Sequence, residues 1–280
     1  MNAPVVSVAS YRTGDHSALQ AQLTVDQIMT PRDAFLCALE GQTVAEAFQH
    51  VPEVYDALPV IEGNDPRDPA AEVIGIIDCR EVAPAEMRQS VSTHMQERHC
   101  VGIRSTLPLL EFAASGRVDE LTFVTADERS IVCGLVTVHD LQRLPVRIAL
   151  FAALTDLEED IAGLLDLAAP DPAKWHTLVH DPRGIIKIEI EKGLKRAARR
   201  DDLGSPILTL SFGIKLALLE GLKNSGQLAG VAIPNLRNIR DARNDIAHGI
   251  PFERIEIVPK AARDLRNLHS SVKTLIARHQ

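Results

Sequence analysis

Gly134-Leu135-Val136-Thr137-Val138-His139-Asp140-Leu141 joins the end of an apolar, β-branched run to a polar turn that opens a helix. The run leading into it, Ile131-Val132-Cys133-Gly134-Leu135-Val136, is nearly all apolar, as expected of a strand buried on both faces. The same pattern stands earlier in the chain. Gly75-Ile76-Ile77-Asp78 matches Gly134-Leu135-Val136-Thr137 at an offset of 59, and Asp56-Ala57-Leu58-Pro59-Val60-Ile61 matches Asp119-Glu120-Leu121-Thr122-Phe123-Val124 at 63. Ile28-Met29-Thr30 matches His94-Met95-Gln96 at 66. The offset drifts because the first copy carries longer loops, chiefly the turn-rich Glu62-Gly63-Asn64-Asp65-Pro66-Arg67-Asp68-Pro69. Each copy predicts a helix, two strands and a further helix: Thr43–His50, Ala57–Ile61, Val73–Ile77 and onward, then Leu107–Ala114, Glu120–Thr125, Ile131–Val136 and onward.

With Ile28-Met29-Thr30-Pro31 at the entry and Leu58-Pro59-Val60-Ile61 in mid-copy, this arrangement resembles the tandem CBS (Bateman) module over about residues 24–145, in copies 24–83 and 88–145. The resemblance implies a sensor for AMP, ADP, ATP or a related adenosyl nucleotide. It implies that Thr137 touches phosphate and that Asp140 holds the ribose hydroxyls. A plain helix capping box accounts for Thr137 and Asp140 equally well, and the two readings are compatible. In the first copy the equivalent residues are Asp78 and Glu81. A fixed negative charge there opposes a phosphate, so the second copy is the better candidate. Arg104 is a candidate phosphate contact or simply a surface arginine.

Composition bounds the rest. The 280 residues, 45% hydrophobic, suffice for two domains, and a mean hydropathy near zero without a long apolar run argues against a membrane span. Residues 1–23 lack the basic start and apolar block of a secretory signal and predict a flexible leader. Cys37, Cys79, Cys100 and Cys133 show no CxxC or zinc spacing, so reduced, mostly buried thiols in a cytoplasmic protein are expected. The net charge of −8 conceals an asymmetry. Residues 1–170 hold 11 Lys/Arg against 26 Asp/Glu, a net of −15, and residues 171–280 hold 19 against 12, a net of +7. The basic half suits a polyanion, or merely carries solvated Lys and Arg.

Beyond Leu144 the β pattern ends. Val146, Leu150, Leu154, Leu157, Ile161 and Leu164 recur at steps of three and four, predicting one long amphipathic helix that starts directly after the second copy. Further helices are predicted at Ile185–Arg200, from the Ser205-Pro206 cap through Leu222, at Pro234–His248 closed by Gly249, and at Pro259–Arg278. The fold class is therefore α+β with two domains: a mixed α/β repeat pair, then an all-α bundle over 146–280.

Within that bundle, Arg243-Asn244-Asp245-Ile246-Ala247-His248 resembles the HEPN superfamily, whose signature is an Arg and, after four to six residues, a His at a helix end. The resemblance implies a dimeric, metal-independent RNase or an inactive binding relative. Asn244 and His248 are four apart, hence on one helix face. Cleavage of RNA by its 2′-hydroxyl needs a base, an acid and positive charge on the phosphorane. His248 supplies proton transfer, Arg243 charge and Asn244 orientation, and a homodimer supplies the second histidine. The alternative is a helix-terminal His beside an Arg in an ion-pair network. His176 and His180 have metal-like spacing but no third ligand, so packing around Trp175 is expected, and Glu158-Glu159-Asp160 reads as a solvated face. No metal site or cofactor is predicted. The combined expectation is a nucleotide-controlled endoribonuclease acting on RNA. The alternatives are a non-catalytic sensor whose helical domain binds a protein, and a repeat pair that only dimerises the chain.

Overall fold

The computed structural model describes residues 17–49, 56–97, 102–115, 121–126, 131–199, 205–228, 232–249, 251–252 and 254–279. Two compact units are present, one spanning Gln22–Val146 and the other joining residues 17–21 to the chain from Arg147. The end of the expected leader is structured: α1 (Ser17–Gln22) is helical, and Gln20 Nε2 donates to Asp156 at 2.9 Å.

The repeat unit consists of two four-stranded sheets. The first copy contributes β1 (Thr30–Pro31), β2 (Ala38–Leu39), α2 (Val44–Phe48), β3 (Ala57–Ile61) and β4 (Val73–Asp78). The second contributes α3 (Val91–His94), β5 (Gln96–Glu97), β6 (Ile103–Arg104), α4 (Leu109–Ala114), β7 (Thr122–Thr125) and β8 (Val132–Val136). One sheet has the order β2-β3-β4-β5 and the other β1-β8-β7-β6. Each copy thus lends its entry strand to the other copy's sheet. Thr30 and Pro31 lie opposite Leu135 and Gly134, and Gln96 and Glu97 lie opposite Ile76 and Gly75. The exchange continues outside the strands: Val25 N–H donates to Leu107 O and Val91 N–H to Gln42 O.

The glycines of the repeat follow from this exchange. A Cβ on Gly75 would collide with the Met95 side chain, and one on Gly134 with Met29 and the Thr30 carbonyl. The Ile28-Met29-Thr30 and His94-Met95-Gln96 strings and the two glycines are therefore one contact made twice. Phe35, Cys37, Ile61, Val73, Ile76, Phe123, Val132 and Leu135 form a core shared by both sheets. Behind the first sheet, Val44, Ala47, Leu58, Val60, Ile77 and Val91 form a second core. α2 starts where a capping box predicts: Thr43 N–H donates to Glu46 Oε2 at 2.8 Å, and Glu46 N–H to Thr43 Oγ1 at 3.3 Å.

After β8 comes a single 3-10 turn, Val138–Gln142, rather than a helix, and Arg143 is extended. A helix continuing through would place Pro145 in its interior, where proline lacks the donor and clashes with the preceding turn. α5 (Leu144–Ala168) accordingly starts afresh with Pro145 in its first turn. It is less one-sided than its spacing suggests: Ala152, Ala153, Leu154, Leu157, Ile161, Ala162, Leu164 and Leu165 are all buried. Such a helix runs through a core rather than along a surface.

The remaining helices are α6 (Trp175–Leu178), α7 (Ile185–Ala197), α8 (Phe212–Asn224), α9 (Leu236–Ala247) and α10 (Ile257–His279). Ser205-Pro206 opens only a 3-10 turn, Pro206–Thr209, held to α7 by Thr209 Oγ1 donating to Gly193 O at 2.8 Å. Leu210 is then extended, and α8 begins after it. α10 buries Val258, Ala261, Ala262, Leu265, Leu268, Val272 and Leu275 along one stripe. Asn238 on α9 donates to Asp264 on α10 at 2.7 Å.

Two expectations for this half are corrected. Glu158-Glu159-Asp160 is no solvated face: Glu158 accepts from buried Lys215 at 2.7 Å, and buried Asp160 pairs with His269 Nε2 at 2.8 Å. The Lys215 ammonium on α8 and the His269 hydrogen bond from α10 make that burial tolerable. His176 and His180 are exposed; only Trp175 packs, its indole N–H donating to Ala169 O at 2.8 Å. No described helix is long and apolar enough to cross a membrane.

Candidate functional site

The two strand-end corners of the repeat unit have the same backbone origin and different charge arrangements. In the second copy, Thr137 closes β8 in an extended conformation and Asp140 lies in the turn that follows. Asp140 Oδ2 accepts from Thr137 N–H at 2.7 Å and from the Thr137 hydroxyl at 3.1 Å, and Oδ1 pairs with Arg143 at 2.9 Å. The Asp140 carboxylate is buried, so both oxygens are occupied and shielded. Capping is what this pair does in the structure, and a ribose hydroxyl at Asp140 would share the carboxylate with these donors or replace one of them.

In the first copy, Asp78 ends β4. Its carboxylate accepts from Arg80 three times: the backbone N–H at 2.9 Å, Nε at 3.0 Å and Nη2 at 2.8 Å. Arg80 hydrogen bonding holds the Asp78 carboxyl below its usual range. Arg80 also approaches Asp56 at 3.8 Å. The fixed negative charge expected at this corner is present, and it is paired with Arg80, which it shares with Asp56. The signal missed in the sequence is Arg80 itself, two residues beyond Asp78, within reach for a fork-like carboxylate contact.

Arg104 is not brought to the Thr137 corner. β6 pairs with β7 so that Arg104 lies opposite Thr125, and Thr125 lies opposite Val132. Val132 begins β8 and Thr137 follows its end, a separation of about 17 Å of strand. The exposed Arg104 belongs to the other end of the sheet. At that end sits a residue sequence reasoning passed over: Arg32 is buried, its Nη2 donates to Asp68 O at 2.7 Å, and its guanidinium lies 5.2 Å from the Phe35 ring centroid. Together with Cys37 N–H donating to Pro66 O at 3.1 Å, it fastens the long loop of the first copy. Burial raises the Cys37 thiol to about 11, with Arg32 acting in the opposite direction. Cys37, Cys79 and Cys133 are free thiols, only Cys37 being fully buried; Cys100 lies outside the described residues.

In the helical unit, Arg243 and Asn244 stand on α9 and His248 is its C-cap residue. Asn235 starts the helix, its side chain accepting from Arg237 N–H at 2.9 Å. At the other end His248 N–H donates to Asn244 O at 3.0 Å, and Gly249 follows at φ +68°, the left-handed conformation that closes helices. Arg243 is half-buried, while Asn244 and His248 are exposed. Arg243 and Asn244 line a cavity of about 220 Å³ with Ser211, Phe212, Gly213 and Arg240. Asn244 also borders a second cavity, about 190 Å³, with Asp241, Asp245, Arg254 and Ile257. His248 lines neither. Among the described residues, no group of three or more His, Cys, Asp or Glu is placed to hold a metal ion.

The chain is thus a two-repeat α/β unit followed by a helical one. No protein-family model and no curated protein sequence matches it. Solved structures similar to it cover about half of the chain. One is the CBS domain of the bacterial CNNM/CorC family Mg2+ transporter in complex with ATP: 16% identity over 48% of this chain and 92% of that one, TM-score 0.36. Another is a hemolysin-like protein containing a CBS domain from Oenococcus oeni: 19% identity over 49% of this chain and 96% of that one, TM-score 0.35. Scores this low add no argument to the strand exchange, which stands on its own register.

Proposed function

We propose that the chain is an adenine-nucleotide-responsive regulatory protein whose helical half is a HEPN-like, metal-independent endoribonuclease working as a homodimer. The observation that carries the nuclease reading is the shared cavity of Arg243 and Asn244, two residues of the motif that end up beside a second arginine. Arg243 supplies positive charge to the phosphorane, Asn244 orients the 2′-hydroxyl, and His248 transfers the proton. One histidine cannot be base and acid in the same step, so a twofold dimer contributes the second. The nucleotide reading rests on the repeat resemblance and on the Thr137/Asp140 corner.

Control has a physical route. Arg143, which pairs with Asp140, immediately precedes α5, and its carbonyl accepts from Val146 N–H at 3.1 Å in the first turn of that helix. A nucleotide whose ribose takes Asp140 releases the Arg143 side chain at the helix start. A coupling of about 1–3 kcal/mol suffices for control.

The test is purified protein with total RNA in EDTA, with and without AMP, ADP and ATP. Cleavage leaving 2′,3′-cyclic phosphate is expected, lost in His248→Ala and in Arg243→Ala with far-UV circular dichroism unchanged. Activity that survives His248→Ala sinks the assignment. A second reading, a non-catalytic sensor whose helical half binds a protein, is favoured by the position of His248 outside the arginine-lined cavity. Wild-type protein inert toward RNA under every nucleotide supports it.

A further inference from the structure

The cavity between the start of α8 and the side of α9 contains more cationic chemistry than the motif requires. Arg240 lines it together with Arg243 and Asn244. Arg240 Nε approaches Asp241 at 3.6 Å, but the same carboxylate also faces Arg237 Nε at 3.6 Å. One half-buried acid shared by two guanidiniums at that distance leaves the pocket rim net positive. The wall opposite α9 is formed by Ser211, Phe212 and Gly213. Ser211 makes no side-chain capping bond, and the first N–H groups of a helix have no partner inside it. That wall adds donors to a site that the two arginines define.

Resting on the nuclease reading, we propose that this cavity is a phosphodiester subsite in which Arg240 holds an RNA phosphate other than the one being cut. Helix geometry separates the tasks. Arg240 and His248 are eight residues apart on α9, about 12 Å along the axis, and of the two only Arg240 lines the cavity, which assigns it a phosphate other than the one His248 serves. Arg243 lies between them and faces the same cavity as Arg240. Arg240 is therefore a residue of affinity, felt in KM, and Arg243 a residue of the chemical step, felt in kcat. A phosphate contact of this kind is insensitive to base sequence and sensitive to salt.

The experiment measures two quantities on full-length wild type, Arg240→Gln and Arg243→Gln, with thermal melts to establish folding. One is fluorescence anisotropy of a short, uncleavable 2′-O-methyl oligoribonucleotide titrated at several salt concentrations. The other is cleavage kinetics on the matching RNA. Arg240→Gln should weaken oligonucleotide binding about tenfold at low salt and reduce the salt slope by about one, raising KM at unchanged kcat. If wild type cleaves RNA while Arg240→Gln binds and cleaves as wild type does, the subsite is refuted and the nuclease reading stands. If wild type binds the oligonucleotide through Arg240 but cuts nothing, the subsite stands and the nuclease reading falls. Failure of wild type to bind the oligonucleotide at any salt concentration overturns the subsite outright.

Discussion

The two strand-end corners started from the same backbone plan and diverged in how each neutralises a carboxylate. At the second corner Asp140 is buried and satisfied from within its own turn by Thr137 and Arg143. At the first, Asp78 is held by Arg80, whose side chain is 67% exposed. The difference teaches that one backbone plan can place a carboxylate at a strand end and match its charge either inside the turn or from an exposed arginine beside it.

The largest effect tests what the corners share. Gly75→Val and Gly134→Val should each destabilise the repeat unit by about 3 kcal/mol, since a branched side chain must displace the lent strand. Met95→Ala should relieve part of the Gly75 penalty, and Met29→Ala part of the Gly134 penalty, seen as coupling in urea denaturation. A tolerated valine at either glycine breaks the equivalence of the copies. The next effect separates them. Asp140→Ala strands the Thr137 N–H and Arg143 and should cost about 2 kcal/mol, whereas Asp78→Ala, losing a solvent-screened pair, should cost below about 1 kcal/mol. Equal costs in chemical denaturation would erase the distinction between an internal and an external counter-charge.

The smallest effects are pH dependences. The folded-state Asp78 carboxyl is depressed by Arg80, so its contribution is present above the unfolded value of 3.8 and is lost as pH falls through the folded one. Asp78→Asn should flatten the acid side of the stability profile. Asp166 is the opposite case: burial raises it, the Ser205 hydroxyl donating at 2.7 Å acts against that, and stability falls as pH rises from 3.8 toward the folded value. Asp166→Asn retains an oxygen acceptor for Ser205 and should be at least as stable as wild type at neutral pH in thermal melts. A loss of stability there would mean that the charged form is favoured after all.

Much of the repeat half was legible because its strands are short apolar runs repeated twice, and β3 is found at Ala57–Ile61 as its alternation with turns predicts. Strand exchange was not legible. Nothing in Thr30-Pro31 or Gln96-Glu97 says which sheet they join, since two-residue strands carry no pattern of their own. The pairing of Lys215 with Glu158 was hidden for a related reason, because the partners are brought together only by helix packing. At the α9 site, Arg243, Asn244 and His248 were visible as a string. Arg240 was not, because its relevance depends on Ser211–Gly213 arriving from α8.

The reciprocal loan of entry strands bears on how the chain is made. The sheet containing β8 needs Thr30–Pro31, synthesised about a hundred residues earlier, and cannot be completed until Val132–Val136 has left the ribosome. The sheet containing β4 waits in the same way for Gln96–Glu97. Neither copy can finish folding on the ribosome while the other is unborn, so a truncated product ending between them presents β4 as an unpaired edge, open to a neighbouring nascent chain. Long-range pairing of this kind makes folding of the unit slow relative to a helical domain of similar size.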